Sequence, residues 1–512
     1  MERHWLFLRK NGLTSIQLRD AICIEICIIY RRSVMERQLF CSLYYQGKRY
    51  DKYSFFERCG DTMSQQKKDR MRISAIFLAG CLLRLFYVLQ STIFQRQYDI
   101  GNIDLSVDHT VSGGHLAYIQ YLYQQGHMPD FDPTLVYQFH HPPLHHLLSA
   151  LVLKLFAPFI KDNSSLYETL QIIPFLCSIA ILWYGYKIMK RLSGNRKALE
   201  LGLLILAFHP ALVLLSGSVN NDALSLLFML LCIEYTWAWS ESHSLKDILK
   251  AALAVSLGIM TKQSVALMAF PMAIVFIYEW INEAKRTGKK TRFLFQYAVF
   301  LVVSLPIGLW FYIRNLVLFH VPIVWVYELP TDSWQYTGNI PVVNRFLWPD
   351  IREFVDGLRH FQLGCGYNIW IQIMRTSALG EWDMAEVSPG IKLLAMLLMV
   401  VGFALAAVVF ACDLLTLLRR KRYQVKVPPM ILLVGTYVVQ FFAYFKFYYE
   451  YPQECSMNFR YIEINLLVSV LLLVVYRTYC RKNWMLILLQ VTTVCFCIVS
   501  TAMVCVWGLG NV

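Results

Sequence analysis

Long apolar runs alternate with short polar connectors over most of this chain. The runs lie at about 73–91, 165–187, 199–217, 223–240, 248–261, 264–281, 294–314, 391–418, 429–446, 461–476 and 484–508, most of them near the roughly 20 residues a helix needs to cross a bilayer. Only a helix or a closed barrel satisfies its own backbone groups inside lipid. The pattern therefore predicts an all-α polytopic membrane protein with about 11–12 transmembrane helices. One further run, Leu144 to Phe159, breaks the alternation of sides if it crosses fully. A partial or interfacial helix there is the other reading.

Five clusters of Lys and Arg fall between the runs. They are Lys67, Lys68, Arg70 and Arg72; Lys187, Lys190, Arg191, Arg196 and Lys197; Lys285, Arg286, Lys289, Lys290 and Arg292; Arg419, Arg420, Lys421, Arg422 and Lys426; and Arg477, Arg481 and Lys482. Short basic loops mark the cytoplasmic side, because insertion follows the Lys/Arg bias near span ends. With residues 64–72 inside, every basic cluster is inside, and the loops rich in other polar chemistry are outside.

The first 62 residues differ from the rest. Their one apolar stretch, Ala21 to Tyr30, is interrupted by Glu25 and is too short to span. Met63 opens a basic head directly before the first span, so we expect 1–62 to be an extension upstream of the functional start. Recovery of peptides from 1–62 in the native protein would overturn this. The remainder divides into a transmembrane module over 63–320 with a first outer loop at 92–142, an outer-loop region over 321–390, and C-terminal helices over 391–512.

Composition agrees with a membrane protein. Hydrophobic residues make up 57% of the chain and charged residues 16%, against about 25% charged in a soluble domain. The net charge of +14 is accounted for by the basic loops, which set topology and meet anionic headgroups, so no nucleic-acid partner is needed. The 14 Cys are scattered, mostly within apolar runs such as Cys177, Cys232, Cys412, Cys495 and Cys497, and form no zinc-spaced pair. Cys365 and Cys455 both fall outside, and spacing leaves a disulfide between them undecided.

The expected outer face carries two large loops, 92–142 and 319–389, and short ones around 216–222, 260–263 and 450–461. In the first, Leu116, Ile119, Leu122 and Tyr123 form a helical stripe suited to a juxtamembrane helix on the membrane surface, ended by Gly126 and Pro129. Asp130 and Asp132 stand in turn-like contexts. His141 and His145 have the i,i+4 spacing of paired metal ligands, with no acidic third ligand evident. A divalent metal is an open alternative to a site without cofactor.

A set of short motifs in fixed order resembles the C-type glycosyltransferase superfamily, and within it the protein O-mannosyltransferase and aminoarabinose transferase branch. They are Tyr98-Asp99-Ile100-Gly101, Gly114-His115-Leu116-Ala117-Tyr118-Ile119, Pro129-Asp130-Phe131-Asp132-Pro133, His140-His141-Pro142-Pro143-Leu144, Asn220-Asn221-Asp222, Met260-Thr261-Lys262, Arg314-Asn315 and Asn458-Phe459-Arg460-Tyr461. The match is good over roughly 73–320 and weak in the final third. Asp99 is followed by Ile100 where the protein mannosyltransferases carry an Asp-Glu pair, which loosens the inference of a protein acceptor.

The resemblance implies inverting transfer of a sugar, mannosyl-like, from a polyprenyl-phosphate donor to an acceptor hydroxyl on a lipid, glycan or protein at the outer face. Short loops and the lack of an organelle signal suit a bacterial plasma membrane, and an endoplasmic reticulum setting would put the same chemistry in the lumen. The resemblance also implies Asp99 as general base, with Asp104 and Asp108 as competitors. His141, Asp222, Lys262, Arg314 and Arg460 are the candidates for the donor phosphate and substrate. For Asp222 the competing role is a helix cap; for Lys262, Arg314 and Arg460 it is snorkelling to the headgroups. Arg375, Glu381 and Trp382 are weaker candidates for sugar or acceptor. Two other classes stay open. A flippase or transporter would show intramembrane acids and paired broken helices, and a diphosphate-linked oligosaccharide ligase or polymerase would use Arg345, Arg352, Arg359 and His360 in the second large loop.

Overall fold

The computed structural model describes residues 52–93, 99, 113–288, 291, 293–328, 330–348, 366–382, 387–421, 423, 425–480 and 484–509, with side chains of the first helix from residue 68 onward. Asp104, Asp108, Arg352, Arg359, His360 and Cys365, together with most of the 1–62 segment, lie outside the described residues. The chain separates into two compact units, Met1–Arg70 and Met71–Val512, and the candidate site belongs to the second.

The principal helices are α1 (Lys52–Gln90), α2 (Gly114–Gln125), α3 (Leu144–Phe156), α4 (Ile172–Leu192), α5 (Arg196–Phe208), α6 (Pro210–Leu214), α7 (Asp222–Ser242), α8 (Leu245–Ile259), α9 (Ala269–Thr287), α10 (Leu294–Phe319), α11 (Ile369–Leu379), α12 (Pro389–Leu418), α13 (Val427–Glu450), α14 (Glu463–Tyr479) and α15 (Trp484–Gly508). The protein is an all-α polytopic membrane protein. Eight helical segments among the described residues are long and apolar enough to cross a membrane: Lys68–Gln90, Asn163–Leu192, Asp222–Ser242, Gln263–Thr287, Leu294–Phe319, Pro389–Leu418, Val427–Glu450 and Trp484–Gly508.

Three of the expected spans are helical but fall short of that length. Pro210 lacks the N–H that would continue α5, so the run breaks into α5 and α6 at His209. Arg84, the lone cation inside the first span, caps this break. It donates to the carbonyls of Leu206 and Ala207 at 3.0 and 2.8 Å and to Ser178 Oγ at 2.8 Å. The other two, α8 with 15 residues and α14 with 17, are interior helices. Nearly every side chain of α14 is buried, as expected of a helix apolar on all sides. It packs against α4, α5, α7, α12 and α13, which makes it the central post of the bundle.

The run Leu144 to Phe159 does not cross. α3 has 13 residues, about 20 Å of helix, and packs on α2 and the 163–171 segment around Leu116, Ile119, Leu153, Leu166 and Leu170. The structure also reassigns the lipid-facing stripe expected on α2. Leu116, Ile119 and Leu122 are buried, whereas Leu147, Leu151 and Leu155 of α3 are 43%, 52% and 59% exposed at a spacing of four. α2 spends its apolar face on α3, so α3 is the helix that presents apolar side chains outward.

The two ends of the bundle carry different chemistry. At one end Arg191 bridges Glu234 and Glu241, Lys187 pairs with Glu234, Lys426 reaches Glu241, and Ser193 Oγ meets Thr478 Oγ1 at 2.6 Å. Two of the basic clusters thus meet on the carboxylates at one end of α7. Asp222 begins the same helix at its other end, about 30 Å away, and there the candidate site is built.

Candidate active site

Four connectors bring charge to the Asp222 end. α7 starts at Asn220-Asn221-Asp222, where Asn220 Oδ1 accepts from the Asp222 N–H at 2.9 Å. Asn221 Nδ2 donates to the Thr261 carbonyl at 3.1 Å, which ties this turn to the break between α8 and α9 that holds Lys262. The N–H of Leu144 donates to the Met260 carbonyl at 2.9 Å, so the His-rich entry to α3 is anchored on the same turn. The fourth connector precedes α14. Asn458 Oδ1 accepts from the Arg460 N–H at 3.1 Å and Asn458 Nδ2 donates to Glu381 at 2.7 Å, fixing the short 3-10 turn from which Arg460 projects.

These turns place two carboxylates against two cations. Arg460 Nη2 donates to Asp99 Oδ1 at 2.9 Å, Arg460 Nη1 lies 2.5 Å from Asp99 Oδ2, and the same Nη1 reaches Asp222 Oδ2 at 3.3 Å. Lys262 Nζ pairs with Asp222 Oδ1. The Tyr461 ring lies 4.9 Å from both Lys262 Nζ and Arg460 Cζ, a cation–π arrangement that steadies both cations. Asp222 is therefore not a simple helix cap, since both of its carboxylate oxygens are taken by cations from elsewhere.

On its other side Asp99 meets a stack of imidazoles. His115 Nε2 is 3.3 Å from Asp99 Oδ2, and His115 Nδ1 is 2.8 Å from His146 Nε2. The His115 ring stacks on His141 and on His146, with centroids 5.3 and 5.1 Å away. His115 and His146 are fully buried. Asp99 itself has φ 64°, the left-handed region that Asp tolerates better than most residues. Burial would raise its carboxyl, but Arg460 and then His115 outweigh this and hold it far below the ordinary carboxylate range. Arg460 is in turn kept charged: burial opposes its charge, and Asp99, Tyr461 and Asp222 outweigh it. Burial depresses His140 to about 4 and His141 well below its ordinary value.

The cluster opens on a cavity of about 810 Å3, lined near the charges by Asp99, Lys262, Arg460, Tyr461, His140 and His141. Its walls are polar on one side, with Gln372, Glu381, Glu454 and Asn458, and apolar on the other, with Leu267, Phe270, Phe311 and Phe447 from α9, α10, α13 and the turn before α9. Gln440 lies in its lining on α13, where its amide meets the Met229 and Met268 sulfurs at 3.9 and 4.0 Å. A charged head and an apolar tail would both find complementary surface here.

Of the residues singled out in the sequence, Asp99, Asp222, Lys262 and Arg460 form one ion-pair network, and His141 lines the cavity with Asp99, Lys262 and Arg460. Arg314 is elsewhere. Its guanidinium donates to the Pro129 carbonyl at 2.5 Å and to Asn315 Oδ1 at 2.9 Å, and so fastens the first loop to α10. Arg375 pairs with Glu454 at 3.3 Å, and Trp382 stacks on Trp507 at 5.8 Å. Asp132 makes the expected turn, accepting from the Thr134 N–H at 2.9 Å. Sequence reading did not single out His115 and Glu454. His115 stood inside a quoted motif, but its role depends on a neighbour 31 residues away. Among the described residues no group of three or more His, Cys, Asp and Glu side chains could hold a metal ion.

The charged cluster and the apolar walls thus share one cavity. Residues 140–310 match the family model described as dolichyl-phosphate-mannose-protein mannosyltransferase, a glycosyl-transferring family, over about a third of the chain. In three dimensions the chain is similar to the Archaeoglobus fulgidus oligosaccharyltransferase in its apo form, at 11% identity and TM-score 0.44, covering 84% of this chain and 56% of that one. It is also similar to the oligosaccharyltransferase AglB of that organism in complex with an inhibitory peptide and dolichol-phosphate, at 12% identity and TM-score 0.44, covering 85% and 56%. A third similar structure is ArnT from Cupriavidus metallidurans bound to undecaprenyl phosphate, at 14% identity and TM-score 0.37, covering 78% and 76%. The chain thus spans little more than half the length of the archaeal enzyme. No curated protein matches its sequence.

Proposed function

We propose that this protein is an integral-membrane glycosyltransferase that moves a sugar from a polyprenyl-phosphate donor to an acceptor hydroxyl. The observation that supports it best is the ion-pair network of Asp99, Asp222, Lys262 and Arg460, from which Asp99, Lys262 and Arg460 line a cavity with an apolar wall. Asp99 accepts the hydroxyl proton as the acceptor oxygen attacks the anomeric carbon. The departing phosphate gathers negative charge, which Lys262 and Arg460 meet in a site of low dielectric. The prenyl chain lies along Phe270, Phe311 and Phe447. Mannose is the first sugar to test, given the description of the matching family. On this reading the α7 end that meets basic residues is cytoplasmic and the site faces the outer side of the plasma membrane, where a lipid, glycan or protein acceptor is met.

The test is release of polyprenyl phosphate from a panel of polyprenyl-phosphate sugars by native protein and by Asp99→Asn in the same membranes. Turnover abolished by the substitution is the expected result. Turnover that survives it would move the base to another carboxylate. No turnover of any monophosphate donor by folded protein would sink the reading and favour a diphosphate-linked donor or a flippase.

A further inference from the structure

The cations that line the cavity are already paired with carboxylates. Among its described lining residues the fixed cations are Lys262 and Arg460, and both are paired with carboxylates, Lys262 with Asp222 and Arg460 with Asp99 and Asp222. A phosphate that grips either cation must compete with a carboxylate already bound there. The two contacts differ in how freely they can break. Asp222 keeps Lys262 if Arg460 turns away. Asp99 keeps His115, which approaches the same Oδ2 that Arg460 Nη1 holds and is itself backed by His146. Arg460 Nε is buried and has no hydrogen-bond partner among the described residues, so the present arrangement leaves one of its donors unmet, and such a group calls for an explanation.

We propose that Arg460 is a shared cation which the donor phosphate takes from Asp99, so that the carboxylate is free to act as base only when the donor is bound, with His115 keeping it in position. The inference rests on the reading of the site as one for a polyprenyl-phosphate sugar.

A general base works best when its basicity is matched to the working pH, and Asp99 in the ion pair is far too weak. Moving the guanidinium to phosphate removes the main cause of that weakness and adds a negative charge nearby, and both changes raise its basicity. The other titratable groups that influence Asp99 or are influenced by it are Tyr137, His140, Cys455 and Tyr461. Burial keeps the phenols and the thiol protonated and His140 neutral, so Arg460 is the charge whose movement matters.

In the transfer step the acceptor O–H bond breaks as its oxygen bonds to the anomeric carbon. The proton goes to Asp99, and the carbon–oxygen bond to phosphate breaks with its electron pair leaving on the phosphate. Departure of the lipid phosphate returns Arg460 to Asp99, which then releases the proton to solvent. The empty site is thereby protected from activating water or acceptor without a donor present.

The test is the affinity of the full-length protein in nanodiscs for undecaprenyl phosphate. If the carboxylate competes for Arg460, Asp99→Asn binds this lipid more tightly than native protein, by about tenfold for loss of one close competing charge, although it is inactive. Asp99→Ser removes the same charge and serves if Asp99→Asn fails to fold. A general field effect would persist without the guanidinium, so both substitutions are repeated in an Arg460→Gln background. There the tightening is expected to vanish. Native protein that does not bind undecaprenyl phosphate overturns the glycosyltransferase reading. Native protein that binds it, with variants that bind equally or less well, or with tightening that survives Arg460→Gln, overturns the shared-cation proposal alone.

Discussion

Arg460 and Asp99 are separated by 361 positions in sequence, yet the guanidinium holds both carboxylate oxygens, at 2.9 and 2.5 Å. The contact joins the first loop to the turn before the central helix α14, so it closes the site across the whole fold.

Removing one partner of a buried ion pair leaves the other charge uncompensated, at a cost of about 3–5 kcal/mol. Arg460→Met is therefore expected to lower thermal stability in detergent strongly, because it strands Asp99 and loosens Asp222. Arg460→Met combined with Asp99→Asn should recover part of that loss. Additive losses in this cycle would show that the two side chains are not coupled.

Arg314 and Arg460 should separate cleanly in binding experiments. Arg314 donates to a backbone carbonyl, a charged hydrogen bond of about 1.5–3 kcal/mol. Arg314→Gln is expected to speed proteolysis of the first loop while changing affinity for undecaprenyl phosphate by less than about threefold, well under the tenfold that 1.4 kcal/mol would give. Comparable losses of affinity in Arg314→Gln and Arg460→Gln would contradict this division.

Lys262→Met takes away a point charge from the phosphate site and leaves Asp222 with Arg460 alone. Affinity for undecaprenyl phosphate is expected to fall by about ten- to a hundredfold, for two like-sized electrostatic losses at close range. Lys262→Arg should retain most of it, since charge rather than fork geometry is what this position supplies.

His115→Phe keeps the ring volume between His141 and His146 but loses the contact to Asp99. Turnover is expected to fall with little change in donor affinity, because only the orientation of the base is disturbed. A loss confined to donor affinity would assign His115 to substrate binding instead.

Acidification should destabilise the protein in two stages. His140 and His141 have depressed pKa values in the folded state, His140 at about 4 against an ordinary 6.5. The unfolded chain therefore binds more protons than the folded one between these values, and stability falls as pH drops below 6.5. Asp99 is depressed below its ordinary 3.8, so the stability it contributes is present above that value and is lost only in stronger acid. Thermal unfolding across pH 4–8 checks the first stage, and His140→Gln should flatten part of it.

The chain by itself determined the membrane architecture, because transfer of apolar side chains into lipid is a local property that each run carries alone. The same locality made the basic connectors legible, and two of them do meet on one end of α7. It also delimited α2, whose end at Gly126 follows from a left-handed backbone that glycine adopts freely (φ 73°). Tertiary structure decided what locality does not contain. Arg314 and Arg460 look alike in sequence, each at a span end beside an Asn or one residue from it, yet packing sends one to a backbone carbonyl and the other to Asp99. α2 shows an apolar stripe in sequence, but only its pairing with α3 decides that the stripe is buried and that Leu147, Leu151 and Leu155 face outward. The role of His115 depends on His146 across a helix pair. Burial and ion pairing sum contributions from segments far apart in the chain, so they take their values only when the helices are assembled.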